Sequence, residues 1–145
     1  MKKLLCVISS MNSGGAETYL MKIYRNIDKS KYQMDFCVNA EDNYYADEIK
    51  SLGGKIYVLP LKSKKPFKSF CTLKKIVRKN KYERVLRVNE HSLSTLDLLA
   101  AKMGGARVLG MRSSNSSSGS GVSLKLHKVF RFLTSLIPNV KIAPS

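Results

Sequence analysis

The sequence predicts an α/β fold, a Rossmann-like parallel sheet flanked by helices on both faces, and three observations support this prediction. Short apolar runs alternate with amphipathic helical patterns along nearly all of the 145 residues. The first run, residues 4–8, has no polar alternation, which indicates a strand buried on both faces. Glycine pairs and a proline end several of the segments. Alternation of this kind implies a parallel sheet with right-handed crossovers.

The first half of the chain supplies three predicted strands, at residues 4–8, Tyr32–Val38 and 55–59. A polar loop ending in Gly14-Gly15 follows the first strand and leads into a helix. The face of this helix that we expect to be buried consists of Ala16, Tyr19, Leu20, Ile23 and Ile27. A short helix over residues 44–52 is closed by Gly53-Gly54, which suits a left-handed cap.

The second half continues the pattern with strands at residues 84–88, 106–111 and 140–143. Pro66 fits the first turn of a helix. Its expected buried side consists of Phe67, Phe70, Leu73, Ile76 and Val77. Ser92 or Ser94 caps a helix that reaches Met103. A serine- and glycine-rich segment, residues 113–121, precedes a late amphipathic helix over residues 124–137.

Composition limits the classes of protein. With 43% hydrophobic residues the chain is long enough for one domain with a core. No apolar segment approaches the roughly 20 residues that span a bilayer. The cysteines at positions 6, 37 and 71 are odd in number and far apart, which favours reduced structural thiols in a cytoplasmic protein.

A net charge of +16 implies an anionic partner: nucleic acid, an acidic membrane surface or phosphate-bearing substrates. Residues 61–84 contain ten lysines and arginines against one acid, Glu83. A solvated helix face is the ordinary explanation, yet this excess makes contact with an anionic surface plausible. The late helix, which carries Lys125, Lys128 and Arg131, could also lie on a membrane or dock on protein.

Ligands of such folds gather at the carboxyl ends of the strands, here residues 9–15, 39–42, 89–92 and 112–121. Gly14 and Gly15 bring backbone amides and a helix dipole to one point, which suits a phosphate. Both the dinucleotide fingerprint and a Walker lysine are absent. The alternative is that the glycines only permit a tight turn. Glu17 is expected to complement the helix dipole.

His91, just after the fourth strand, could donate a hydrogen bond or act as a general base, or could be an ordinary loop histidine. Arg112 is predicted to follow the fifth strand and could bind phosphate in a forked geometry, with Asn115 in the same loop. No metal site is expected, because the few carboxylates lack companions at ligand spacing.

Several segments resemble the N-terminal domain of family 4 retaining glycosyltransferases, which have the glycosyltransferase B fold of two facing Rossmann-like domains. The resemblance covers nearly the whole chain and rests on five segments: 9–20 (SSMNSGGAETYL), 32–38 (YQMDFCV), 52–57 (LGGKIY), 91–108 with its His-Ser start and LLAAKMGGARV end, and 142–145 (IAPS). Residues 112–115 look like a variant of the family's loop ending in Asn, where many relatives have His before Asn.

The resemblance implies that residues 1–145 form a single acceptor-side domain and that the C-terminal donor-binding domain is absent from this chain. The full-length enzyme would transfer a sugar from a nucleotide-sugar donor to a saccharide or lipid-linked acceptor, in surface polysaccharide biosynthesis. Gly14 and Gly15 would approach the donor diphosphate, and His91 would hydrogen-bond the transferred sugar or assist the reaction. No metal or other cofactor is expected, and the isolated domain should be inactive.

Two other classes remain open from the residues alone. A basic nucleic-acid-binding domain would explain the charge, but a recognition motif and interleaved aromatics are missing, so no nucleic acid is expected. A non-catalytic Rossmann-like ligand-binding module is the other alternative. We expect a cytoplasmic protein in peripheral contact with the anionic inner face of the cell membrane.

Overall fold

Strands and helices alternate along the residues that the computed structural model describes, namely 2–12, 14–61, 64–89, 94–113 and 140–142. The strands are β1 (Lys2–Val7), β2 (Tyr32–Val38), β3 (Ile56–Val58), β4 (Arg84–Asn89), β5 (Val108–Ser113) and β6 (Val140–Ile142). The helices are α1 (Gly15–Asn26), α2 (Ala46–Ser51), α3 (Pro66–Asn80) and α4 (Ser94–Met103). The predicted late helix and residues 114–121 lie outside the described residues.

The strands form one sheet in the order β3-β2-β1-β4-β5-β6, and every neighbouring pair is parallel. The chain moves outward from β1 to β3, crosses back, and then moves outward in the other direction from β4 to β6. This order places the change of direction between β1 and β4. The predicted Rossmann-like fold is therefore confirmed.

Helices cover both faces of the sheet, because alternate residues of the strands are apolar on both sides. Leu5 and Val7 share a buried cluster with Leu73 of α3 and Leu98 of α4. On the opposite face, Cys6 and Ile8 belong to a second cluster. That cluster contains Leu20, Met21 and Tyr24 of α1 and Ile49 of α2. The side chains of the apolar run 4–8 thus contribute to the buried clusters on both faces of the sheet.

One carboxylate, Asp35, lies fully buried in the middle of β2. Its oxygens accept hydrogen bonds from Gln33 Nε2 at 2.8 and 3.0 Å and from the Lys55 backbone N–H at 2.8 Å. The hydroxyl of Tyr82 donates a further bond. Burial, followed by the bond to Asp35, raises the pKa of Tyr82 above its ordinary value, so the phenol stays protonated. This network joins β2 to Lys55, just before β3, and to Tyr82, between α3 and β4.

The expected buried face of α1 is wrong in part. Tyr19 and Ile23 are 44% and 36% exposed, whereas Met21 and Tyr24 are buried beside Leu20. The hydroxyl of Tyr24 donates to the Leu52 backbone oxygen at 3.1 Å, which allows this tyrosine to be buried. The helix is therefore rotated toward α2 relative to the prediction.

The expected buried face of α3 is also wrong at one position, Phe67, which is 85% exposed. Leu73 and Val77 are buried as predicted, and Phe70 and Ile76 pack partly against the same cluster. Phe67 lies in the first turn, and its position around the helix is displaced from that of Leu73 by roughly a third of a turn. Its aromatic ring therefore faces away from the core.

The glycine pair after α2 has the predicted cap geometry. Gly53 has φ +92°, a left-handed conformation that residues with a Cβ rarely adopt. At Gly54, a Cβ would lie 2.5 Å from the Met34 backbone oxygen, so this residue must be small. The pair permits both the end of the helix and its close approach to β2.

All three cysteines are free in this structure; Cys6 and Cys37 are buried and Cys71 is exposed. Burial raises the pKa of the Cys6 thiol to about 12 and raises that of Cys37 as well, so both are inert structural groups. None of the helices that the structure describes combines the length and hydrophobicity needed to cross a bilayer.

Candidate functional site

The candidate site is the edge of the sheet at which all strands end, since parallel strands bring their carboxyl ends together. β1 and β4 are neighbours, and the connections that follow them lead away on opposite sides. The connection after β1 contains Gly14 and leads into α1. The connection after β4 contains His91 and leads into α4. A crevice between these two connections is where open α/β sheets bind ligands.

The loop after β1 is held in place by the loop after β2. The backbone N–H of Met11 donates to Asn43 Oδ1 at 2.7 Å, and the backbone N–H of Tyr44 donates to Asn12 Oδ1 at 3.0 Å. A backbone bond from Tyr45 N–H to the Met11 oxygen, 3.0 Å long, adds a third link. Met11 itself is fully buried, which anchors the loop in the core below it. Met11 and Asn12 are therefore held against the loop after β2.

Gly14 is the N-cap of α1, and Gly15 is its first residue. Gly14 has φ −100°, and Gly15 is not among the positive-φ residues, so neither glycine is needed for a left-handed backbone. A Cβ on Gly15 would meet nothing within 4 Å. The space beside Gly15 is consequently open. The Gly14 N–H donates to the Asn12 backbone oxygen at 2.8 Å, so an anion would meet the helix amides from Gly15 onward. This geometry fits the anion-cradle hypothesis better than the tight-turn alternative.

Glu17 provides a resident negative charge at this helix end. A Cβ built on Gly14 would lie only 2.3 Å from Glu17 Oε2, so the carboxylate bends back over the N-cap. No side chain donates or accepts a capping bond at Gly14, and Glu17 in the first turn complements the dipole, as expected from the sequence. An incoming anion would have to displace this flexible side chain.

A buried arginine, which the sequence analysis treated only as part of a strand, links the two sides of the crevice. Arg87 of β4 is 3% exposed. Its Nη1 donates to the backbone oxygens of Val7 at 2.9 Å and Val88 at 2.8 Å. Its Nε lies 2.9 Å from Asp97 Oδ2, in the first turn of α4. One guanidinium therefore holds the end of β1 and the beginning of α4. The signal in the sequence is a charged residue inside an apolar strand.

The other predicted site residues have different outcomes. Arg112 was expected in a loop after the fifth strand, but it lies within β5, paired with Val88 on one side and Ile142 on the other. The strand extends further than predicted because β4 and β6 both supply partners there. Arg112 is two strands away from β1, about 10 Å across the sheet.

His91 and Asn115 lie outside the described residues. Among the described residues, no group of histidine, cysteine and carboxylate side chains could hold a metal ion.

Comparison with protein-family models finds no match. The chain is 33% identical over 126 residues to a protein of Bacillus subtilis (strain 168) described as "Putative glycosyltransferase EpsF". The similar segment covers 86% of this chain, but the chain spans only about a third (33%) of that relative.

Among solved structures, the fold is similar to a crystal structure of MurG from Acinetobacter baumannii, with a TM-score of 0.66. The two chains are 12% identical, and the similarity covers 99% of this chain and 41% of MurG. At that identity the likeness shows the fold, the Rossmann-like α/β fold of a glycosyltransferase B structure. Sequence and fold together make this chain a homologue of part of a glycosyltransferase-like protein.

Proposed function

We propose that this chain is the N-terminal, acceptor-side domain of a family 4 retaining glycosyltransferase. The enzyme would transfer a sugar from a nucleotide-sugar donor to a saccharide or lipid-linked acceptor. The observation that carries the proposal is the homology to a glycosyltransferase-like protein over 126 residues. The strand order supports it, because the change of direction between β1 and β4 is where open α/β sheets bind ligands.

The leaving diphosphate sets the chemical requirement, since negative charge grows on it as the glycosidic bond to the donor breaks. In this proposal Gly14 and Gly15 approach the diphosphate, and the backbone amides from Gly15 onward, with the positive end of the α1 dipole, supply preorganised stabilisation for that charge. The open space beside Gly15 leaves room for an approaching phosphate. In this proposal Glu17 rotates away from the N-cap when the donor binds, and neither a metal ion nor another cofactor takes part.

We assign the remaining roles by position in the sequence and by the resemblance to family 4. His91 hydrogen-bonds the transferred sugar or assists the reaction. Arg112, near the end of β5, and Asn115, beyond that strand, contact donor or acceptor. Arg87 does not touch substrate. It is a positioning residue that joins the end of β1 to the start of α4.

A donor-binding C-terminal domain would complete the cleft, and the domain described here would not transfer sugar alone. We place the enzyme in the cytoplasm, in peripheral contact with the membrane, where it would act in surface polysaccharide biosynthesis. The excess of basic residues between positions 61 and 84 supports this location, because phospholipid headgroups and lipid diphosphates are anionic.

The test is sugar transfer from a panel of nucleotide sugars by the full-length protein, comparing Gly15→Trp and His91→Ala with the unmodified enzyme. Gly15→Trp should abolish transfer, since the indole would fill the space beside the exposed amides. His91→Ala should lower the rate on the order of 100-fold or more, whereas His127→Ala, at the other histidine, serves as the matched control. Full activity in both site variants would overturn the site assignment, and no transfer from any nucleotide sugar would overturn the proposed activity.

A further inference from the structure

Tyr44 is an exposed aromatic side chain at the carboxyl edge of the sheet, in the connection between β2 and α2. The residue is 73% exposed, although its position is fixed by two contacts. Its backbone N–H donates to Asn12 Oδ1 at 3.0 Å. Its ring forms a T-shaped pair with the ring of Tyr45, with the centroids 4.9 Å apart. A large part of the Tyr44 ring is therefore held in place and still open to solvent.

Tyr45, which supports the exposed ring, is itself anchored from three directions. It is 7% exposed, and its backbone N–H donates to the Met11 oxygen at 3.0 Å. Its hydroxyl lies 3.2 Å from Thr18 Oγ1 of α1, and the Arg25 guanidinium lies 6.0 Å from its ring centroid. A rigid aromatic ring gives a ligand a large contact area at a low cost in conformational entropy. Tyr44, supported in this way, has the properties of a stacking surface.

Asn12 connects Tyr44 to the beginning of α1. Its side-chain oxygen accepts the Tyr44 N–H, and its backbone oxygen accepts the Gly14 N–H at 2.8 Å. The exposed ring is thus one residue's contacts away from the candidate anion cradle. In the strand order β2-β1-β4, the connection that carries Tyr44 and the connection after β4 lie on opposite sides of the connection after β1.

The chain around Tyr44 differs in charge from the rest of the protein. Residues 32–49 contain no lysine or arginine, although the chain has 26 of them. Glu41 and Asp42 are exposed in the same connection as Tyr44. This local charge disfavours an anionic ligand, whereas a neutral ligand rich in hydroxyl groups could donate hydrogen bonds to the carboxylates. A pyranose ring has such hydroxyls and also an apolar face of C–H groups, which matches an aromatic ring.

We propose that Tyr44 stacks against a pyranose ring of the acceptor and thereby selects a saccharide as the acceptor. The transferred sugar is assigned to the connection after β4, so a ring bound at Tyr44, on the other side of Gly14, belongs to the acceptor. This assignment to the acceptor rests on the proposed function. Binding of a pyranose ring at Tyr44 rests only on the exposure of the side chain, its fixed position and the local charge.

The experiment is saturation-transfer NMR on the 145-residue chain with three probes: the methyl β-pyranosides of glucose, galactose and N-acetylglucosamine. Sorbitol, which carries hydroxyls but no ring, is the control ligand. We expect saturation at the ring C–H protons of at least one pyranoside and none on sorbitol. Titration should show that Tyr44→Ala weakens binding by about tenfold, whereas Tyr44→Phe, which keeps the ring, retains most of it.

Tyr32→Ala is the matched control, since Tyr32 is 44% exposed but lies at the start of β2, on the opposite edge of the sheet. It should bind the pyranosides as the unmodified chain does, and far-ultraviolet circular dichroism confirms that each variant is folded. Saturation of none of the pyranosides, equal losses in Tyr44→Ala and Tyr32→Ala, or equal losses in Tyr44→Ala and Tyr44→Phe would each overturn the stacking proposal. No readout depends on nucleotide-sugar transfer, so stacking and the proposed activity can fail independently.

Discussion

Removing one member of the buried pair between Arg87 and Asp97 should destabilise the domain severely. Arg87→Met would leave the Asp97 carboxylate, 2% exposed, without the guanidinium beside it, and would remove the donor to two backbone oxygens. Breaking a buried pair in this way costs about 3–5 kcal/mol. Since small domains are stable by only about 5–15 kcal/mol, the midpoint of urea unfolding should fall by a large fraction.

A double replacement distinguishes charge burial from the loss of a packed side chain. Arg87→Met combined with Asp97→Leu leaves no buried charge at this site, so it should be markedly more stable than either single variant. Urea unfolding followed by circular dichroism measures each free energy, and Arg25→Met, in the exposed Arg25–Glu48 pair, is the control expected to change little. The reasoning is refuted if Arg87→Met and Arg25→Met cost the same, or if the double variant is no more stable than Arg87→Met.

Four further outcomes follow from the described contacts. Gly54→Ala should lower the melting temperature by several degrees, because its Cβ would lie 2.5 Å from the Met34 oxygen. Gly15→Ala, the control, should leave the melting temperature nearly unchanged. Equal effects of the two variants in thermal unfolding would contradict this prediction. Glu17→Gln should strengthen the binding of inorganic pyrophosphate, measured by calorimetry, because it removes the carboxylate charge bent over Gly14; weaker binding would argue against the anion cradle. A thiol reagent should label one cysteine of the folded protein, Cys71, and all three in urea. Burial raises the pKa of the Cys6 thiol from 9.0 to about 12, so on raising the pH the unfolded chain loses the thiol proton before the folded chain does. The free energy of unfolding should therefore decline as the pH rises above 9. A urea midpoint that stays constant above pH 9 would contradict this prediction.

The central strands could be predicted from sequence, because a strand buried on both faces of a sheet is a continuous apolar run that can be recognised without knowing its neighbouring strands. Residues 4–8 are apolar throughout, and the structure confirms a central strand there. The end of β5 depends instead on pairing with β4 and β6, which are distant in sequence. Arg112 was therefore predicted in a loop, although it forms part of the strand.

The buried face of a helix could be predicted only where apolar side chains occupy a single side of it. Tyr19 and Tyr24 are chemically identical, and the sequence pattern alone favoured Tyr19. Tyr24 is buried because the Leu52 oxygen accepts its hydroxyl, a contact that depends on how α2 ends. Arg87 escaped notice for the same reason, since its acidic partner belongs to a helix whose packing was unknown. The edge of the candidate site could thus be inferred from sequence, but the residue that holds it together could not.

The reciprocal bonds of Asn12 and Asn43 have a consequence for motion at the crevice. Each asparagine oxygen accepts a backbone N–H from the other loop, so neither loop can shift without breaking bonds at both. The loop before α1 and the loop before α2 should therefore open and close as one body, with matched rates of amide exchange.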